Sequence, residues 1–148
     1  MSAGTNLAAG GTPQPANPEA TEFNTWTMRA AWALGAVGVF SSMHLADELW
    51  SRWDIGATQI ADSVSAGAAI AIPTALTLLA LAAMLRARRW GLWLAIGMGV
   101  FGLWPPFTHV LEPHDMTAFR WGVEGLAAAS SVVLIAAAAM ALRRRLAS

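Results

Sequence analysis

The stretch TAFRWGVEGLAAASSVVLIAAAAMAL, residues 117–142, runs directly into Arg143, Arg144 and Arg145. About 20 apolar residues cross a ~30 Å hydrocarbon layer as a helix rising 1.5 Å per residue, so this stretch is long enough to do so. Hydrocarbon offers no partner to free backbone N–H and C=O groups, so a segment that enters it must be helical. The same reading applies to three earlier segments, and together the spans run Trp26–Leu45, Ser63–Leu85, Trp90–Leu111 and Thr117–Leu142. The chain has 148 residues, 56% of them hydrophobic, which is too apolar for a soluble domain. It reads as all-α, an integral membrane four-helix bundle.

Residues 1–22 carry Gly, Thr, Ala, Asn and Pro with no apolar period, which predicts a disordered cytoplasmic tail before a membrane domain over 23–148. The tail lacks the basic and apolar regions of a signal peptide, so no cleavage is expected. Arg86, Arg88 and Arg89 between spans two and three, and Arg143–Arg145 after span four, fall on one side of an even-numbered bundle. Arg52 and Arg120 alone fall on the other, so the basic side is predicted to be cytoplasmic, with both termini inside a multi-pass cell-membrane protein. Arg29 lies in the first turn of span one, where its stem can snorkel to the interface.

Composition narrows the chemistry. Cysteine and tyrosine are absent, and so is lysine. Disulfides, thiolate metal sites, covalent haem attachment and Schiff bases are therefore excluded. Net charge is zero with two short basic clusters, so no nucleic-acid partner is expected. The remaining ionisable groups concentrate at the outer end: His44, Asp47, Glu48, Asp54, Asp62, His109, Glu112, His114, Asp115 and Glu124.

Helical rise puts three of them at one depth. Glu48 counted from Arg29, His109 from Arg89, and Glu124 back from Arg143 each lie about 29–30 Å from the inner anchor. In His44-Leu-Ala-Asp47-Glu48 the i,i+3 and i,i+4 spacings put both acids on the face of His44, where they can orient it as an acid or base or help it ligate a metal. Pro113 pushes Glu112 out of helical geometry, and Asp115 reads as the N-cap of span four. Glu124 is the most informative residue, because a carboxylate inside a span is costly unless paired or neutral. It either pairs along the helix with Arg120, four residues earlier, or stands as a protonated acid facing a cavity.

Phe40, Trp50, Trp53, Phe101, Trp104, Phe107, Phe119 and Trp121 fall in the outer half, matching an inner belt of Trp26, Trp90 and Trp93. Turned inward, Trp50, Trp104, Trp121, Phe101 and Phe40 would wall a substrate cavity and stabilise a cation. Trp32, well inside span one, is expected to face the core or a neighbouring helix. Small residues recur every fourth position as Ser63/Gly67/Ala71/Ala75, Gly91/Ala95/Gly99, Ala31/Gly35 and Gly125/Ala129, a pattern that lets helices approach closely. Pro73 predicts a kink in span two, and Pro105–Pro106 a break near the outer end of span three.

At His44–Glu48 the chain resembles small bacterial integral membrane proteins grouped by an H-x-x-E-E motif, with Asp47 where the first glutamate stands and the motif closing the first span. That resemblance implies membrane embedding and no particular activity. In size and span count the chain is also similar to membrane-bound terpene cyclases of some actinobacterial clusters, which implies cation chemistry on an apolar substrate.

Three functions remain open. The leading one is an enzyme acting on an apolar, lipid-dissolved small molecule by acid–base chemistry. Glu124, Asp47 or Glu48 would protonate an alkene or epoxide, and His44 or His109 would remove a proton, with no cofactor and no metal. The second is a haem- or metal-binding bundle using His44 and His109. The third is a non-enzymatic accessory, as a homo-oligomer or bound to a partner membrane protein. Four short spans rarely supply the two gated halves of a transporter unless they dimerise.

Overall fold

The computed structural model describes residues 18–54, 60–111 and 117–147, with side chains described over 24–47, 67–68, 71–107, 110 and 117–146. Among the described residues every regular element is a helix: α1 (Pro18–Asp54), α2 (Ile60–Leu85), α3 (Arg89–Gly102), α4 (Trp104–Leu111) and α5 (Ala118–Ala147). The stretches Arg89–Phe107 and Ala118–Leu146 are long and apolar enough to cross a membrane, and Ala71–Leu85 is a shorter apolar helix.

α1 overruns the sequence reading at both ends. It begins at Pro18, inside the stretch read as tail, and Pro is at home in a first turn, where its missing N–H has no partner to lose. It continues past Leu45 to Asp54, because Ala46–Trp53 contains neither Gly nor Pro to stop it. The His44–Glu48 motif therefore lies within a helix and does not close one.

The break in the third apolar segment falls at Leu103, with Pro105 and Pro106 in the first turn of α4. Two consecutive residues without N–H groups cannot continue the ladder from α3, but a fresh helix tolerates them at its start. Helix α5 starts at a cap: the Thr117 hydroxyl accepts from the Arg120 N–H at 3.3 Å, and the Thr117 carbonyl accepts from Trp121 at 3.1 Å. Asp115, the expected cap, is outside the described residues.

The α2–α3 connection is tight. Ala87 adopts φ 51°, and Arg88 donates to the Ala83 carbonyl (2.8 Å) while Ala87 donates to Met84 (2.9 Å). Those two bonds close the end of α2 in the manner of a left-handed helix cap. Arg145 Nη1 donates to the Ala87 carbonyl, so the two arginine clusters meet at one end of the molecule. Near the start of α1, the Arg29 guanidinium lies 4.5 Å from the ring centroid of Trp26.

Packing is small inside and large outside. α1 lies most extensively along α5, α3 packs on α5 and α2, and the α1–α2 contact is thinner. The core towards the arginine end is dominated by alanine (Ala30, Ala80, Ala95, Ala138 and Ala141) around Leu34, Leu92 and Leu134. Large apolar side chains face out, Trp32 most of all at 78% exposed. That corrects the expectation that Trp32 turns inward: the alanine-lined seam leaves no room for an indole.

Of the small-residue rows, the one on α3 is buried, while Gly67, Ala71 and Ala75 on α2 and Gly125 and Ala129 on α5 face outward. A Cβ on Gly91 would lie 2.6 Å from the Ala83 Cβ and 2.9 Å from the Met84 backbone nitrogen. Gly97 has nothing within 4 Å. Gly91→Ala is therefore expected to destabilise by about 1–3 kcal/mol. Gly97→Ala should cost nothing, or stabilise by up to about 1 kcal/mol through helix propensity. Unfolding midpoints of the two variants in detergent check the pair.

Candidate functional site

Two rungs join α1 to α5 at the end away from the arginines. His44 and Asp47 are one turn apart on α1, and Arg120 and Glu124 are one turn apart on α5. Arg120 Nε donates to Asp47 Oδ2 at 2.5 Å, with side-chain exposures of 26% and 32%. One turn further in, His44 Nδ1 lies 3.4 Å from Glu124 Oε1, and exposures fall to 16% and 2%. The helical spacings 44/47 and 120/124 match across the seam, so one helix pairing makes both contacts.

Arg120 reaches across the seam to Asp47, and Glu124 meets the imidazole of His44. A carboxyl buried to this degree needs a polar neighbour, and the His44 imidazole at 3.4 Å supplies one. The distance is at the long end for an N–H···O bond, so the two groups adjoin without being tightly locked. Val123 and Ala127, each 5% exposed, flank Glu124 on α5 and keep the carboxyl from bulk solvent.

Both members of the inner rung line an open cavity of about 1090 Å³ bordered by α1, α2, α3 and α5, with Pro105 of α4 also lining it. Gly35 and Gly38 on α1 leave this space by withholding side chains, and Pro73 on α2 lines it from the other side. Apart from four hydroxyls (Ser41, Ser42, Thr74 and Thr77), the wall is otherwise apolar, and His44 and Glu124 are the ionisable groups among its described residues. Gly102 lets α3 approach α5 here, since a Cβ there would fall 2.5 Å from the Ser131 hydroxyl.

No family model matches the chain, and no curated protein or solved structure matches it either.

The expected site is thus partly assembled. His44 and Glu124 are brought together, and Asp47 stands one turn outward, engaged by Arg120. Glu48 and Trp50 on α1 and His109 on α4 have side chains outside the described residues. The aromatic wall is reduced: Phe101 lines the cavity, Phe40 is half-buried without lining it, and Trp104 and Trp121 are exposed at the periphery. Among the described residues no group of three or more His, Asp or Glu is placed to hold a metal ion. Sequence reasoning missed Arg120 as the partner of Asp47. The signal was present in the matched 44/47 and 120/124 spacings, which suit two antiparallel helices.

Proposed function

We propose that the chain is a multi-pass membrane protein, a four-helix bundle with both termini cytoplasmic. We further propose that its outer-end cavity carries out acid–base chemistry on an apolar, lipid-dissolved substrate. The observation that carries the chemical reading is the His44–Glu124 pair, buried in the wall of a large apolar cavity. The membrane reading is supported by the apolar periphery, the alanine-rich interior and the meeting of both arginine clusters at one end.

This chemistry requires that the pair carry one proton between its two members. A substrate alkene would take that proton at carbon, or an epoxide at oxygen with opening of a C–O bond, leaving a carbocation. Rearrangement or ring closure follows, and the pair, now one proton short, removes a proton from the adjacent carbon. Proton and electron counts close without an oxidant, and substrate and product are isomers. The apolar wall withholds nucleophilic water from the cation, and the face of Phe101 stabilises it.

Two experiments test this. The chain lacks cysteine, so single-cysteine variants are clean probes. Arg88→Cys is expected to react with an impermeant maleimide only from the cytoplasmic side, and Ala118→Cys only from the outside. Labelling of both from one side would overturn the topology. For the chemistry, reconstituted protein is incubated with neutral long-chain alkenes and terminal epoxides. Products of unchanged mass and altered retention are expected from at least one probe class; unaltered probes throughout would sink the acid–base reading.

A second reading, a non-enzymatic helper bound to a partner or to itself, is favoured by the small-residue rows that face outward on α2 and α5. Under it, joint alanine substitution of His44, His109 and Glu124 is harmless. A phenotype matching loss of the gene would reject it.

A further inference from the structure

The cavity opens sideways. Val39 on α1, Ile72 and Leu78 on α2, and Phe101 on α3 all line it, yet each is more than half exposed on the outer surface of the molecule. Three of these four residues belong to α1 and α2, two neighbouring helices whose mutual contact is thin. Gly38 and Thr77 face each other there, with an added Cβ on Gly38 meeting the Thr77 methyl at 3.6 Å. Met98 and Ala127, which are 8% and 5% exposed, lie on the opposite, closed side of the cavity.

Charge limits what can enter. A phosphate or carboxylate drawn into this space would meet the Glu124 carboxyl, with the His44 imidazole already beside that carboxyl and no lysine or arginine among the described lining residues. The nearby guanidinium of Arg120 is engaged by Asp47. Burying an anion without a cation is prohibitive in an apolar wall. The volume of about 1090 Å³ lies just above the ~300–1,000 Å³ range of sites for drug-sized ligands, and so suits something longer.

We infer that the occupant is an uncharged long-chain lipid that enters laterally between α1 and α2, past Gly38 and Thr77, with its apolar chain reaching Met98 and Ala127. The inference rests on the proposed reading of the cavity as a substrate site. It adds that ligands carrying a phosphate are refused, so a reaction starting from this site begins with protonation of a neutral molecule and not with loss of diphosphate.

The test uses full-length protein in nanodiscs and two probes of equal chain length: a diazirine-bearing long-chain alcohol and its phosphate monoester. Cross-linked residues are located by mass spectrometry. The alcohol is expected to label Met98 and Ala127, saturably and in competition with unlabelled alcohol, while the ester labels neither. Gly38→Leu and, separately, Thr77→Leu should each reduce that labelling by about tenfold or more in protein that remains monodisperse, the equivalent of at least ~1.4 kcal/mol of lost binding. Labelling of the wild-type protein by the alcohol with no turnover of any alkene or epoxide would remove the acid–base reading and keep this one. Equal labelling by the ester, labelling confined to outward residues, or full labelling in both leucine variants would overturn it.

Discussion

Glu124→Gln is expected to lower turnover by about 10²–10⁴-fold, with an unfolding midpoint close to that of the wild type. Glutamine retains the volume and an oxygen that can accept from His44, but it has no carboxyl proton to give. The His44–Glu124 contact is thus preserved as a contact and lost as an acid. Stability should respond to the other member. His44→Leu leaves a carboxyl that is 2% exposed without its imidazole. Leaving a buried carboxyl without its hydrogen-bonding neighbour costs about 1–3 kcal/mol. His44→Leu combined with Glu124→Leu should recover much of that loss, because replacing both partners by apolar side chains is commonly neutral or stabilising. Thermal unfolding of the two singles and the double in detergent checks this. Additive losses would mean that the two residues do not act as a pair.

Asp47→Asn is expected to reduce turnover by about 10²-fold although Asp47 is one turn from the cavity pair. Its effect runs through Arg120. The guanidinium sits four residues before Glu124 on α5, a spacing from which it can reach either Glu124 along the helix or Asp47 across the seam. The 2.5 Å bond to Asp47 holds it on the outer rung. An asparagine at 47 accepts more weakly, so the guanidinium turns inward and fixes Glu124 as a carboxylate, which ends its service as an acid. Asp47→Asn with Arg120→Gln should therefore restore most of the activity lost in the single variant. If the outer rung were merely a strut between helices, the double variant would be as impaired as the single or worse. Comparing the turnover of these two variants decides between the roles.

Much of this arrangement was legible in residue types and spacing. The apolar segments and arginine clusters specify helices with a basic end, and the burial cost of a carboxylate singled out Glu124. Partner choice was not legible. Arg120 is the nearest cation to Glu124 in sequence, and only the side-by-side packing of α1 and α5 shows that His44 meets Glu124 and that Asp47 meets the arginine. The aromatic residues misled for a related reason: an apolar periphery accommodates rings as readily as a cavity does, so Trp32, Trp104 and Trp121 could not be assigned inward or outward from pattern alone. Equally, four similar small-residue rows gave one buried seam, because burial depends on which faces the neighbouring helices cover.

The most direct measurement of proton transfer by the His44–Glu124 pair is deuterium incorporation. Reconstituted protein in D₂O would be given a neutral long-chain alkene, whose protonation at carbon leaves a non-exchangeable C–D bond, and the isomeric product analysed by mass spectrometry. Wild-type protein should place a solvent deuteron in the product, and Glu124→Gln should form neither product nor label. Product that forms without deuterium, or at the same rate and with the same label in Glu124→Gln, would contradict the assignment of this pair as the acid and base.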